Sequence, residues 1–159
     1  MEDWGDMASS NPVLQGTDIE DEDEALAAAA RARYRKDGII RIEPDGGLRS
    51  ALGTDEGLLA VRQTASIERL ADGGGASMSG RLAITTQRLM LVHSQPLTLA
   101  SLDELDDITV VRDRLLVTLT SGTGFFISVP RPRLLRVELA EARASRKDRS
   151  VDGAVEPGL

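Results

Sequence analysis

Arginines form the cluster in this chain that is best suited to holding a charged ligand. Arg131, Arg133 and Arg136 lie beside two prolines, and guanidinium groups bind carboxylates and phosphates with paired hydrogen bonds. We predict that the cluster binds an anionic partner, with the chain's own acidic N-terminal segment as one candidate and a solvated helix start as the alternative. Arg69 and Arg81 flank a glycine-rich stretch at 73–75 and are two further candidates for anion binding.

The sequence gives less support to catalysis or metal binding than to anion binding. The chain has no cysteine, and its one histidine excludes a His-rich metal site. That residue, His93, is in phase with Leu89 and Leu91, so we expect it in or beside the core. Four carboxylates lie close together in the sequence: Asp103, Glu104, Asp106 and Asp107. They lack the glycine and the terminal glutamate of an EF-hand loop, so we predict a solvated loop at this position. We therefore predict no enzyme activity, no cofactor and no metal.

The charge is unevenly distributed. The net charge is −7, yet residues 1–30 carry nine acids and no base, while residues 52–148 carry twelve of each. A balanced domain with an acidic arm argues against nucleic acid as a partner and predicts weak membrane binding at most. Because the sequence begins without a basic or apolar leader and has no apolar run of ~20 residues, a cytoplasmic protein is expected.

The N-terminal third contains a helix pattern and little else. Residues 1–17 are predicted to be a disordered acidic arm. The capping-box spacing of Thr17 and Glu20 predicts a helix over roughly 18–36, with a thin apolar stripe that leans on the domain or on a partner. Within 18–51, a short strand is then expected over 39–42 and a turn over 43–47. Residues 148–159 are predicted to be a disordered tail.

Period-two alternation dominates residues 52–130 and predicts about seven short strands joined as a meander. Its apolar positions include Leu59, Val61, Ala65, Ile67, Leu82, Ile84, Leu89, Leu91, Leu97, Leu99, Ile108, Val110, Leu115, Val117, Leu119, Phe125, Ile127 and Val129. Pro130 and Pro132 end the last strand, and a helix with a narrow apolar face of Leu135, Leu139 and Ala142 is predicted from Arg133 to Lys147.

The segment from Gly80 to Leu91, GRLAITTQRLML, resembles the central hairpin of GRAM and bacterial pleckstrin-homology-like (PH-like) domains. The resemblance covers roughly residues 52–147. It implies a mainly β fold: a partly open, seven-stranded antiparallel barrel of two near-orthogonal sheets, capped by a C-terminal helix, with an extra N-terminal helix here. It also implies binding to lipid headgroups, peptides or other copies, without catalysis. The lipid-binding branch concentrates bases in the first hairpin loop, where this chain has only Arg69 and Arg81.

Two functions follow as hypotheses. The first is a non-catalytic interaction module that binds a protein segment or another copy of itself. Its partner surface is expected between the strands at 115–119 or 125–129 and the C-terminal helix, with contacts from Leu116, Phe126, Leu135 and Leu139. The alternative is a peripheral domain that binds phospholipid or an anionic membrane.

Overall fold

The computed structural model describes the backbone of residues 2–70 and 77–155, and the side chains of residues 18–70 and 77–148. The fold is mainly β, with seven antiparallel strands in the order β4-β3-β2-β1-β7-β6-β5. The sheet is not closed, so the predicted partly open barrel with an N-terminal and a C-terminal helix is confirmed. The strands are β1 (Leu58–Arg69), β2 (Ser77–Thr85), β3 (Arg88–Val92), β4 (Pro96–Ser101), β5 (Leu105–Val111), β6 (Arg114–Leu119) and β7 (Gly124–Ser128). The helices are α1 (Glu2–Asp37), α2 (Gly46–Ala51) and α3 (Pro132–Val155), with a 3-10 turn at Leu102–Glu104.

Strand β1 connects the two halves of the sheet. It pairs with β2 from Leu58 to Glu68, and its last four residues, from Ser66 to Arg69, also pair with β7. The register with β2 shifts between Arg62 and Ala65, as at a bulge, which bends a strand. Near this shift the backbones come close together, because a Cβ atom on Gly80 would lie 2.6 Å from the carbonyl oxygen of Val92. Only glycine fits there without displacement of the neighbouring strand.

The main core follows the predicted alternation. In β6, Leu115 and Val117 are fully buried, and β7 contributes Phe125 and Ile127 from the same face. The face of α3 that carries Leu135, Leu139 and Ala142 covers this core. The apolar pattern of the sequence thus identifies the inner face of the sheet, because alternate side chains of a strand point to opposite faces.

A second, smaller core lies on the other face of β1–β3. Leu48 of α2 packs there against Leu58, Ala83 and Met90. The residues predicted as a turn contain the start of α2, because the Asp45 side chain accepts a hydrogen bond from the Leu48 N–H at 3.0 Å and caps the helix. The strand predicted at 39–42 is reduced to a single bridge between Ile42 and Leu58.

A buried polar network fixes the turn between β2 and β3. Glu56 accepts hydrogen bonds from the Thr85 hydroxyl at 2.6 Å, from the Gly53 N–H at 2.9 Å and from two nitrogens of Arg88 at 2.9 and 3.1 Å. Arg88 also donates to the carbonyl oxygen of Ala51 at 2.8 Å. Burial raises the pKa of Glu56, but the hydrogen bonds from Arg88 and Thr85 outweigh it, so the net pKa is lowered. The Thr-Thr-Gln-Arg hairpin is therefore held by a carboxylate from before β1.

Helix α1 packs along α3 through a small apolar cluster. Ala27 and Ala30 contact Val137, with Tyr34 and Leu134 at the margin. The helix predicted over 18–36 lies within α1. Ala30 and Tyr34 of its predicted apolar stripe pack in this cluster, whereas Ile19, also predicted in the stripe, is 61% exposed. The side chains of residues 1–17, the glycine-rich stretch at 73–75 and residues 156–159 lie outside the described part of the chain. The predictions of a disordered arm and tail therefore stay predictions.

Candidate functional site

The start of α3 is completed by a side chain from α1. Arg131 adopts a φ of 58°, and Pro132 then begins the helix. The Asp23 carboxylate, which is only 1% exposed, accepts hydrogen bonds from the N–H groups of Arg133 at 2.8 Å and Leu134 at 3.0 Å. The first N–H groups of a helix lack partners within the helix, so Asp23 satisfies two of them.

Salt bridges on both sides of this cap hold α1 against the arginine cluster. Glu22 lies 2.5 Å from Arg131, and Arg133 lies 3.4 Å from Glu24 and 3.7 Å from Asp23. Two of the three clustered arginines thus bind the chain's own acidic segment, one of the alternatives that the sequence left open. Part of their charge is neutralised within the molecule.

A groove lies between α1, α3 and the outer strand β5. It has a volume of about 490 Å³ and continues into a smaller cavity of about 240 Å³, with Arg31 and Arg136 lining both. We call the two together the arginine groove. The larger part is lined by Glu24, Ala27, Ala28, Arg31, Thr109, Val110, Arg133 and Arg136.

Three guanidinium groups that line the arginine groove, those of Arg31, Arg136 and Arg143, have no carboxylate partner among the described residues. Within residues 18–70 and 77–148, neither Arg31 nor Arg136 forms a salt bridge, and Arg136 donates to the carbonyl oxygen of Ile108 at 3.1 Å. Arg143 lines the smaller cavity and donates to the carbonyl oxygen of Asp106 at 2.8 Å. Arg136 was among the predicted anion-binding residues, whereas Arg31 was missed because it lies about a hundred positions earlier in the chain.

Two ionisable side chains beside the smaller cavity, those of Tyr34 and Glu138, are neutral or paired. Burial raises the pKa of Tyr34, which lines the smaller cavity, so its hydroxyl remains protonated. Behind it, Glu138 forms a salt bridge with Arg62 in which both side chains are less than a fifth exposed. Burial raises the pKa of Glu138 by more than Arg62 lowers it. The carboxylates of Asp107 and Glu141 also line the smaller cavity. The excess of positive charge therefore lies in the larger part of the groove, where three arginines accompany one carboxylate, that of Glu24.

Arg69 and Arg81 are not brought together. Arg69 is exposed at the end of β1, whereas Arg81 lies within β2 and forms a 2.5 Å salt bridge with Asp45. Hydrogen bonding from Arg81 lowers the pKa of that aspartate. A wider, more open cavity of about 710 Å³ borders Arg81 and Arg114, but Arg114 is paired with Glu68 at 3.1 Å. Both arginines of this cavity already have carboxylate partners.

The predicted apolar partner surface is only partly formed. Leu116 and Phe126 are neighbours across β6 and β7 on the outer face, both half-buried, and Arg114 stacks over the Phe126 ring at 4.1 Å. Leu135 and Leu139 are 1% and 0% exposed in the main core. Both side chains pack into the main core beneath α3. Their expected place in a surface groove therefore needs correction, because this face of the helix is buried inside the domain.

The remaining candidate residues are dispersed. Asp103 lies 3.6 Å from Arg146, Glu104 accepts from the Ser101 N–H at 3.0 Å, and Asp107 accepts from the Thr109 hydroxyl at 2.8 Å. No group of residues suited to a metal ion occurs in the described part of the chain. His93 is exposed rather than packed in or beside the core, because β3 ends at Val92 and the chain turns away from the sheet.

Comparison with models of known protein families found no match to this chain, and a search of curated proteins found no relative. Among the described residues, no helix is both long and apolar enough to cross a membrane. The resemblance to GRAM and PH-like domains and the expected cytoplasmic location remain predictions from the sequence. The arginine groove is therefore the feature of the structure that bears most directly on function.

Proposed function

We propose that this protein is a non-catalytic, PH-like interaction module that binds an acidic protein segment in the arginine groove. The observation that carries the proposal is the pair of guanidinium groups, Arg31 and Arg136, that line one groove without carboxylate partners. Arginine binds carboxylates in a planar, two-pronged geometry that lysine cannot reproduce. An acidic segment supplies the counter-charges that these two residues lack.

The strand beside the groove favours an extended segment. Successive residues of a β-strand direct their backbone groups to alternate edges. Arg136 donates a hydrogen bond to the carbonyl oxygen of Ile108, so the backbone groups of Ile108 point to the outer edge of β5. Val110 lies two residues further along the strand, and its backbone groups point to the same edge. Val110 also lines the arginine groove. A bound segment can therefore pair with the end of β5 while its acidic side chains reach Arg31 and Arg136.

Peptide binding tests this proposal directly. A fluorescently labelled glutamate-rich peptide should raise the anisotropy signal on titration with the protein, whereas its glutamine-for-glutamate counterpart should not. The double substitution Arg31→Gln and Arg136→Gln should weaken binding about tenfold or more, which corresponds to ~1.4 kcal/mol. The double substitution Arg35→Gln and Lys147→Gln is the matched control, because it removes one positive charge from each of the same two helices at exposed positions outside the groove. Equal binding of both peptides, or binding unaffected by the double substitution, would refute the proposal.

A second candidate function has one observation in its favour. Arg69 is exposed, and beside it Leu70 is 43% exposed at the end of β1. A cation next to an exposed apolar side chain is the combination that peripheral membrane proteins use. In this case sedimentation with phosphatidylserine vesicles at physiological salt would retain the wild type and release Arg69→Gln, while the acidic peptide would not bind.

A further inference from the structure

Two arginines border the junction of the two cavities that form the arginine groove. Of the described residues, Arg31 and Arg136 alone line both cavities. Arg31 belongs to α1 and Arg136 to α3, so the two guanidinium groups reach the junction from different helices. A single ligand group at the junction can therefore contact both of them.

Most hydrogen-bond donors of these two guanidinium groups are unused. Within the chain's described side chains, Arg31 donates no hydrogen bond, and Arg136 uses only its Nε, which donates to the carbonyl oxygen of Ile108 at 3.1 Å. A guanidinium group carries five N–H donors in one plane. Both NH2 groups of Arg136 and all donors of Arg31 are therefore available to a ligand.

Two arginines that approach from different directions match a phosphate group better than a single carboxylate. A carboxylate has two oxygens, and one arginine in the bidentate geometry engages both of them. A phosphate monoester has three terminal oxygens that accept strong hydrogen bonds. Because these oxygens do not lie on one line, each guanidinium group can engage a different pair of them.

The charge balance of the larger cavity also suits a phosphate. Arg133 lies 3.4 Å from Glu24, so these two lining residues balance each other. Asp23 lies 3.7 Å from Arg133, but its oxygens accept hydrogen bonds from two N–H groups of α3. Arg31 and Arg136 remain as two uncompensated positive charges, and a phosphate monoester carries a charge of about −1.5 to −2 at pH 7. The smaller cavity suits it less, because two carboxylates line that part.

We propose that the arginine groove recognises a phosphorylated serine or threonine of the bound segment, with its phosphate group between Arg31 and Arg136. This inference rests on the proposed function, because it names the group that anchors the acidic segment. A segment paired with β5 lies about 4.8 Å from that strand, and Thr109 and Val110 of β5 line the larger cavity. The short side chain of a phosphoserine therefore suffices to enter the groove.

The surroundings of the groove favour a peptide over a phosphate on a membrane. An anionic membrane presents many charges across a wide surface, and these interact with every charge within a Debye length. Helix α1 would repel such a surface through five exposed carboxylates in the turns that lead to the groove: Asp18, Glu20, Asp21, Glu22 and Glu24. A phosphorylated side chain brings its charge to the arginines alone.

Matched peptides test the preference for phosphate. In one labelled glutamate-rich peptide, the central residue is phosphoserine, glutamate or serine, and binding is measured by fluorescence anisotropy. The phosphoserine peptide should bind about tenfold more tightly than the glutamate peptide, or better. In the double variant Arg31→Gln and Arg136→Gln this difference should disappear, whereas Arg35→Gln with Lys147→Gln should retain it. Circular dichroism establishes that both double variants are folded.

The dependence on pH gives a second readout. The second pKa of a phosphate monoester is about 6, whereas glutamate stays ionised down to about pH 4.3. No histidine lines the larger cavity among the described residues, and arginine stays charged throughout this range. The advantage of the phosphoserine peptide should therefore shrink between about pH 7.5 and 5.5, and phosphorus NMR should show a lowered pKa for the bound phosphate.

The outcomes separate this inference from the proposed function. Equal affinities of the phosphoserine and glutamate peptides, both dependent on Arg31 and Arg136, would overturn the inference and leave the proposed function standing. Absence of binding by either peptide would overturn both. A phosphoserine preference that survives the double substitution would place the phosphate elsewhere. Sedimentation with phosphatidic acid vesicles at physiological salt, abolished by the same substitution, would assign the arginines to a lipid phosphate and overturn the choice of a peptide.

Discussion

Replacement of Glu56 by glutamine perturbs the buried network beneath the β2–β3 turn with little change in volume. The carboxylate accepts four hydrogen bonds, two on each oxygen, from Gly53, Thr85 and Arg88. Glutamine retains one acceptor oxygen and directs an NH2 group at donors. At least two bonds are lost, and Arg88, which is 26% exposed, is left without its counter-charge.

The magnitude follows from burial. Hydrogen bonds to charged groups contribute about 1.5–3 kcal/mol each, and removal of one partner from a buried ion pair costs about 3–5 kcal/mol. Because Arg88 keeps its bonds to Ala51 and Thr98 and some water access, we expect the lower end, ~3 kcal/mol. For a domain with a typical stability of about 5–15 kcal/mol this is a large fraction.

Urea unfolding monitored by circular dichroism measures the loss as a reduced midpoint at constant slope. Glu43→Gln is the matched control, since the Glu43–Arg49 salt bridge is 85% and 63% exposed at its two side chains. Exposed pairs contribute roughly 0–1 kcal/mol, so this variant should unfold almost as the wild type does. A similar effect from both substitutions would refute the assignment of the network as a stabilising element.

Acid titration gives an independent check on the same residue. The folded-state pKa of Glu56 is lowered, so its stabilising contribution is fully present above the unfolded-state pKa of about 4.3 and is lost as pH falls through the folded-state value. The stability difference between wild type and Glu56→Gln should therefore shrink as the pH falls below about 4. A difference that stays constant down to strongly acidic pH would contradict the predicted linkage.

Three further substitutions test other parts of the structure. Asp23→Ala removes the cap of α3 and should cost about 1–2 kcal/mol, with faster amide exchange at Arg133 and Leu134; unchanged exchange there would exclude the cap. Leu115→Ala empties a fully buried position and should cost about 2–5 kcal/mol by urea unfolding, whereas a near-neutral result would place that strand face outside the core. Gly80→Ala places a methyl group against the Val92 carbonyl oxygen and should lower the free energy of unfolding by about 1–3 kcal/mol. A melting temperature equal to that of the wild type would contradict this expectation.

Local patterns in the sequence were sufficient to predict most of the sheet. Alternation at Leu115, Val117 and Leu119 matched the buried positions of β6, because one face of that strand meets the core and the other meets solvent. Met90 shows where alternation fails: it lies on the opposite face from Leu89, yet both are fully buried. The second face is covered by α2, and the cap at Asp45 that begins α2 was included in the predicted turn.

The candidate site depends on contacts between α1 and α3, which lie far apart in the sequence, and for this reason the sequence alone did not predict it. Arg133 and Arg136 were identified because they lie together in the sequence, but their separation into a paired and an unpaired residue depends on where α1 packs. Asp23 and Arg31 come from that helix, about a hundred residues away. No local spacing relates them to α3, so neither the cap nor the groove could be derived from the sequence pattern.

The double pairing of β1 has a consequence for the order in which the chain folds. Every other strand contact joins neighbours along the chain, whereas Ser66 in β1 pairs with Ser128 in β7. Closing so long a loop costs roughly 4 kcal/mol of chain entropy before the contact is gained. The local hairpins can therefore form and dissolve rapidly, while the docking of the last strand onto the first sets the folding rate. During synthesis the sheet cannot be completed until β7 has emerged from the ribosome. Until then, the edge of β1 that pairs with β7 stays unpaired in a sheet of the first four strands.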